Sequence, residues 1–284
     1  MSIDKKWNKE KKYINYIMVT ATNVVPTDGF GAQYQKVIET YLFCSMHNIR
    51  FYYTPLVEFE HNYKNEDNYT NKLEECMNLN SIFENIKHYN SQIPIVHLTY
   101  TQHVRQHTAR NIDYYCNNQY MTQIKTAFWA NKDKDFFKNN KTNVAVHVRR
   151  DNDHDKGQAG PRTTTPNNTY LTAINHIRQT VKENKLHFHI YSQGDVSDFK
   201  MYISEDTTLH INEDITTTFT GMVASNILIT SRSSLSYLAG LLTDGTVYYQ
   251  PFWHPPKKDW HGVLETTQGP VIVDNNTLSE VLRR

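Results

Sequence analysis

Runs of β-branched and aromatic residues alternate, along almost the whole chain, with stretches whose apolar side chains recur at helical spacing, and few folds accommodate that alternation. Tyr13 to Val25 (YINYIMVTATNVV) reads as a buried strand stopped by Pro26-Thr27-Asp28-Gly29. From Ala32 to His47, the side chains of Tyr34, Val37, Ile38, Tyr41, Leu42 and Met46 share one helical face. Asn48 fits the end of that helix, and Ile49 to Tyr53 reads as a second strand. Strand, glycine-containing turn, helix and strand form a βαβ unit, which implies a parallel sheet with a right-handed crossover.

The middle of the chain is less regular. Glu58 to Asn90 is polar and Asn-rich, with helical patches at Leu73–Leu79 and Ile82–Ile86. Ile95–Thr99 reads as a short strand and Asn111–Phe137 as one or two amphipathic helices. Polar stretches between Asn131 and Asn143 mark a connector. Beyond it the alternation resumes: strands at Asn143–Val148, Leu186–Tyr191, Leu209–Ile211, Asn226–Thr230 and Thr246–Tyr249, with helical segments at Tyr170–Glu183, Asp195–Ile203, Thr216–Ala224 and Leu235–Leu242. The expected fold class is α/β: two facing Rossmann-like domains with mostly parallel sheets, residues 1–141 and 142–284. No internal repeat is visible.

Composition excludes several function classes. With 30 Lys and Arg against 29 Asp and Glu, the formal net charge is +1. No global basic field exists to hold nucleic acid, so a polyanion site has to be local. The cysteines, Cys44, Cys76 and Cys116, are odd in number and widely spaced, which argues against a disulfide framework or a zinc ribbon. Met1 to Lys12 is polar and Lys-rich with no apolar run behind it, and no stretch approaches the ~18 apolar residues of a membrane span. The expectation is a cytoplasmic protein without a membrane span.

In doubly wound domains ligands sit beyond the carboxyl ends of the strands. Four polar clusters fall at such ends: Asp28-Gly29-Phe30-Gly31-Ala32-Gln33, His147-Val148-Arg149-Arg150-Asp151, Tyr191-Ser192-Gln193-Gly194-Asp195 and Thr230-Ser231-Arg232-Ser233-Ser234. An arginine at a strand end offers forked donors that match phosphate oxygens; the plain alternative is a solvated strand end paired with Asp151 or Asp153. Hydroxyls at the start of a helix, with its free amides and dipole, make an anion site; the alternative is an ordinary helix cap. Gly29 and Gly31 let backbone approach a ligand, although the loop is neither GxGxxG nor a Walker A sequence. Asp195 can accept from a ribose hydroxyl or from guanine, or can cap the next helix.

Other constellations carry less. Asp151-Asn-Asp153-His-Asp155-Lys-Gly157 begins like a calcium loop, but Lys156 and Arg162 occupy the positions that need Gly and Glu, leaving only a short DxD. His187-x-His189 lies within a strand, where packing or solvent exposure is the commoner fate, and His103 and His107 lack the glutamate of a zincin helix. Trp129, Trp253 and Trp260, with Phe252, Tyr248 and Tyr249, offer rings for stacking on a sugar or, more commonly, for the core.

Taken in order, Asp28-Gly-Phe-Gly-Ala-Gln-Tyr-Gln35, His147-Val-Arg-Arg150, Tyr191-Ser-Gln-Gly-Asp195 and Thr230-Ser-Arg-Ser-Ser234 resemble the motifs of GDP-fucose-dependent fucosyltransferases. The nearest resemblance is to the α1,6-fucosyltransferase (nodulation fucosyltransferase) family, with the α1,2 and protein O-fucosyltransferases further away. That resemblance implies a GT-B fold, an acceptor-side N-terminal domain and a nucleotide-sugar-binding C-terminal domain. It implies inverting transfer of fucose from GDP-fucose to a glycan or other hydroxyl acceptor, with no metal or other cofactor. By the same resemblance Arg149 holds the β-phosphate and Arg150 supports it, and His147 and Asp195 contact guanine or ribose. Ser231, Ser233 and Ser234 form the diphosphate turn, while Gly29, Phe30 and Gly31 approach the nucleotide from the other domain. The family's α1,6 members carry a Glu after the HxRR motif, but Lys156 to Arg162 contains no carboxylate; Asp151, Asp153 or Asp155, or a residue of the first domain, takes its place as base. Two other readings stay open: a metal-dependent GT-A glycosyltransferase using the DxD, and a non-catalytic nucleotide- or sugar-binding protein.

Overall fold

The computed structural model describes residues 20–24, 26–90, 93–99, 102–150, 164–182 and 185–281. The β-branched run before Pro26 supplies strand β1 (Thr20–Val24), followed by helix α1 (Phe30–Met46) and strand β2 (Arg50–Tyr52). Asn48 turns the chain between the last two with a left-handed φ of 56°, a conformation that Asn tolerates. Helix α2 (Tyr69–Met77) leads towards strand β3 (Ile95–Thr99). These strands form a three-stranded parallel sheet in the order β2-β1-β3. Helices α3 (Gln102–Arg110), α4 (Ile112–Cys116) and α5 (Gln119–Trp129) complete this half.

The second half contains strand β4 (Thr142–His147), helix α6 (Asn167–Thr180), strands β5 (Leu186–Ser192) and β6 (Thr207–Ile211), and helix α7 (Ile215–Ala224). Strand β7 (Ile227–Ile229), helix α8 (Ser234–Leu242), strands β8 (Thr246–Tyr249), β9 (His261–Thr266) and β10 (Gly269–Val273), and helix α9 (Asn275–Val281) follow. Seven strands form one sheet in the order β10-β9-β8-β7-β4-β5-β6, parallel except for β10 against β9.

Strand order places the site. The chain builds outward from β4 through β5 to β6, then returns to the opposite side of β4 with β7. The crevice beyond the carboxyl ends of β4 and β7 is therefore the switch point of the larger sheet, where doubly wound proteins hold ligands. The smaller sheet switches in the same way between β1 and β3.

Side-chain alternation along β4 divides the core. Val144 and Val146 pack on one face with Tyr170, Ile174 and Phe188. Ala145 faces the other way, into a cluster shared by both halves: Phe30, Tyr34 and Leu42 of α1, Phe128 of α5, Phe219 of α7, Leu238 of α8 and Trp260. The two sheets thus rest on one continuous apolar layer.

The expected βαβ elements are present with ends shifted by a few residues; the part of the first expected strand before Thr20 lies outside the described residues. Helix α3 was not expected, because its sequence QHVRQHTAR offers Val104 as its one large apolar side chain. The β9–β10 hairpin and α9 were also missed. They cover an edge of the sheet and turn at Gly269, whose φ is 116°.

Candidate functional site

A cleft of about 900 Å³ opens between the two halves. Five loops that follow strand carboxyl ends face it: residues 28–31 after β1, 147–150 after β4, 192–194 after β5, 212–215 after β6 and 233–235 around the start of α8.

His147 ends β4, and its Nδ1 lies 2.8 Å from Ser231 Oγ, which joins the two loops at the switch point. Burial, with help from the adjacent Arg149, lowers the His147 imidazole to about 3, so the ring is neutral. Half-buried Arg149 lines the cleft. Arg150 also lines it, yet its guanidinium donates to Asn167 Oδ1 at 2.6 Å and lies 5.0 Å from the Phe199 ring centre. That packing braces the loop from behind.

Ser233 caps α8 by accepting a hydrogen bond from the Leu235 amide at 3.3 Å, and Ser233 and Ser234 both line the cleft. Ser231 does not; it is buried behind them between His147 and Ser236. The start of α8 therefore presents hydroxyls and the positive end of a helix dipole to the same space as Arg149.

From the smaller sheet, α1 begins at the cleft. A Cβ on Gly31 would lie 2.4 Å from the backbone N and Cα of Leu235, so the first turns of α1 and α8 meet backbone to backbone. Gly29 leaves room for His61, whose ring would be 2.8 Å from a Cβ there. His61 itself has a left-handed φ of 70°, uncommon outside glycine, and Tyr63 Oη lies 2.6 Å from its Nδ1. Phe30 lines the floor but is mainly a core side chain, edge-on to Phe219 at 4.9 Å.

Asp195 stands apart from the cleft lining. Its carboxylate accepts from the Ser197 amide at 2.7 Å and caps a short helical segment, Val196–Tyr202, and these donors hold it below the usual carboxylate range. Its neighbours Gln193 and Gly194 line the cleft instead, and Gly194 is clipped to Asn212 by two hydrogen bonds of 2.9 Å. Asp151, Asp153 and Asp155 lie outside the described residues. Among the described residues, no three His, Cys, Asp or Glu side chains gather as metal ligands.

Several lining groups were not anticipated. Lys36 pairs with Asp28 at 2.7 Å, and exposed Arg105 enters from α3. On the other rim, Lys72 bridges Glu66 and Asp214. His254 is buried and lowered to about 3 by burial, then by Arg105 and Lys36. Its Nδ1 lies 2.9 Å from Gln35 Nε2 and its Nε2 3.1 Å from Ser234 Oγ. Of the aromatic residues singled out for stacking, Tyr248, Tyr249 and Trp260 are core, Trp129 packs against it and Phe252 is partly buried. Trp253, 52% exposed, lines the cleft and lies against Phe252 with ring centres 3.6 Å apart.

Two mostly parallel α/β halves facing one cleft define an α/β protein built from two Rossmann-like halves. No family model matches the chain, and no curated protein matches it. Among solved structures it is similar to the E. coli heptosyltransferase WaaC with ADP: TM-score 0.47, 9% identity, 93% of this chain and 99% of that one covered. It is also similar to the fucosyltransferase NodZ from Bradyrhizobium (TM-score 0.41, 8% identity, 90% and 99% covered). Arabidopsis thaliana FUT1 in complex with GDP aligns with a TM-score of 0.42 at 7% identity, over 94% of this chain and 77% of that one. At these scores the likeness is one of chain path, and no residue role is taken from it.

Proposed function

We propose that this chain is a glycosyltransferase that moves a sugar, fucose by the resemblance of its motifs, from a GDP-linked donor to a hydroxyl acceptor. One observation carries the reading: Arg149 and the Ser233-Ser234 start of α8 flank the switch point of the larger sheet and face the same cleft. A pyrophosphate there meets a guanidinium on one side and hydroxyls and a helix dipole on the other.

The chemistry follows from where charge develops. As the anomeric C–O bond breaks, the electron pair stays with GDP and the β-phosphate gains negative charge. Arg149 and the α8 terminus stabilise that charge without a metal. The acceptor oxygen attacks from the opposite face, inverting the anomeric centre, and its proton passes to a base. Asp153 and Asp155 remain our candidates for that base. A base contributes roughly 10²–10⁴-fold. The exposed face of Trp253 offers a platform for a sugar ring.

Thermal-shift titration with GDP, UDP, ADP and CMP, with and without Mn²⁺, tests the donor assignment. GDP at ~100-fold over Kd stabilises by about 2.7 kcal/mol, and Mn²⁺ adds nothing. In a donor-transfer or donor-hydrolysis assay, Arg149→Ala loses about 3–4 kcal/mol of transition-state stabilisation, by analogy with loss of an oxyanion donor. A wild-type chain indifferent to GDP overturns the reading. GDP binding without transfer or donor hydrolysis leaves a binding protein in its place.

A further inference from the structure

The hydrogen bonds around His254 assign its ring proton within a buried row that ends at the cleft. Gln35 on α1 is 1% exposed, and its Nε2 lies 2.8 Å from Glu39 Oε1 and 2.9 Å from His254 Nδ1. Glu39 Oε2 in turn accepts from Thr108 Oγ1 at 3.0 Å. Turning the Gln35 amide over would set its oxygen against the Glu39 carboxylate, two acceptors face to face, so the nitrogen belongs there. An amide nitrogen carries two protons: one goes to Glu39 and the other to His254 Nδ1. That nitrogen is therefore an acceptor, and the proton of the neutral ring sits on Nε2, 3.1 Å from Ser234 Oγ.

Ser234 thus receives a hydrogen bond from the protein side, and its own O–H is left to donate outward. Ser234 lines the cleft beside Arg149. A hydroxyl prepared in this way fits a ligand atom that only accepts, such as an anionic phosphate oxygen. The strand order β7-β4-β5-β6 orders the groups along the cleft: Ser234 after β7, Arg149 after β4, Gln193 after β5 and Glu213 after β6. With the nucleoside at the β5–β6 end, Ser234 falls at the far phosphate.

We propose that Gln35 and His254 are positioning residues, a relay from α1 that commits the Ser234 hydroxyl to donate to the β-phosphate of a bound nucleoside diphosphate. The inference rests on the donor reading above and adds how the N-terminal half sets the specificity of a group on the C-terminal half. Gln35 and His254 are 219 positions apart, so the relay exists only when the two halves are docked.

The test compares GDP with GMP by calorimetric titration. Loss of one hydrogen bond to a charged oxygen weakens binding by about tenfold or more. His254→Phe is expected to lose that factor for GDP while GMP changes little. His254→Gln, whose amide can still donate to Ser234, recovers most of the loss. Ser234→Ala loses at least as much as His254→Phe, and the double variant loses no more than Ser234→Ala alone. Nitrogen NMR of labelled histidine adds a readout independent of nucleotide: wild-type His254 carries its proton on Nε2, and Gln35→Leu releases that preference. Equal losses for GDP and GMP, additive variants or a proton on Nδ1 overturn the relay alone. A wild-type chain that binds neither nucleotide overturns the donor reading and the relay with it.

Discussion

His147, His189 and His254 are all lowered to about 3, first by burial and then by nearby positive groups: Arg149 for His147, the His210 and His187 rings and Lys141 for His189, and Arg105 and Lys36 for His254. A histidine's ordinary value is 6.5. Between these limits the unfolded chain binds protons that the folded chain refuses. The stabilisation is complete above pH 6.5 and declines as pH falls towards 3. Each histidine contributes a slope of about 1.4 kcal/mol per pH unit within that window. Urea unfolding at neutral pH and near pH ~5, above the carboxylate range, should show stability falling with acid. His189→Phe, away from the cleft, should flatten the slope by one proton. Equal stability at the two pH values would falsify the account. At this scale the sequence showed Arg149, Ser233, Ser234 and the glycines, because each sits in a short motif at a strand end. Gln35 and His254 carry no local signature, since their meaning is a contact between distant positions.

Between elements, α1 and α8 cross backbone to backbone. Gly31 permits it, and a methyl group there would need backbone atoms of Leu235 to move. Gly31→Ala should therefore destabilise the chain by about 1–3 kcal/mol, as overpacking does, despite the better helix propensity of alanine. On the proposed function it should also weaken GDP binding, because the start of α8 shifts with it. Chemical denaturation and titration of the same variant check both; unchanged stability would mean that the helices have slack. The alternating elements were legible because each βαβ unit buries a strand on both faces and a helix on one, which writes strong periodicity into the sequence. Helix α3 has one large buried apolar side chain, Val104, so its periodicity is faint; Val263, Leu264, Ile272 and Val273 of the hairpin do pack against the core, but strands this short offer too few positions to show a period. Asp195 shows a related difficulty: an Asp after a strand looks the same in sequence whether it caps a helix or faces a ligand.

The molecule as a whole has two sheets but shares one apolar layer, reaching from Phe30 and Phe128 to Leu238 and Trp260. Polar ties add to it: Lys72 to Asp214 at 2.6 Å, Lys125 to Asp244 at 2.7 Å, and the Lys258 amide to Asp113 at 2.7 Å. Neither half can leave the other without exposing that layer. Thermal unfolding should accordingly be a single transition, with circular dichroism coinciding with tryptophan fluorescence, to which both halves contribute through Trp129 and through Trp253 and Trp260. Two separated transitions would show that the halves are energetically independent. The meeting of Gly31 with Leu235 has a mechanical consequence. Main chain touching main chain, with no flexible group between, resists sliding but permits slight rotation. Breathing of the cleft should therefore swing about that point as a pivot, with the groups around Ser234 and His254, which lie beside it, moving least.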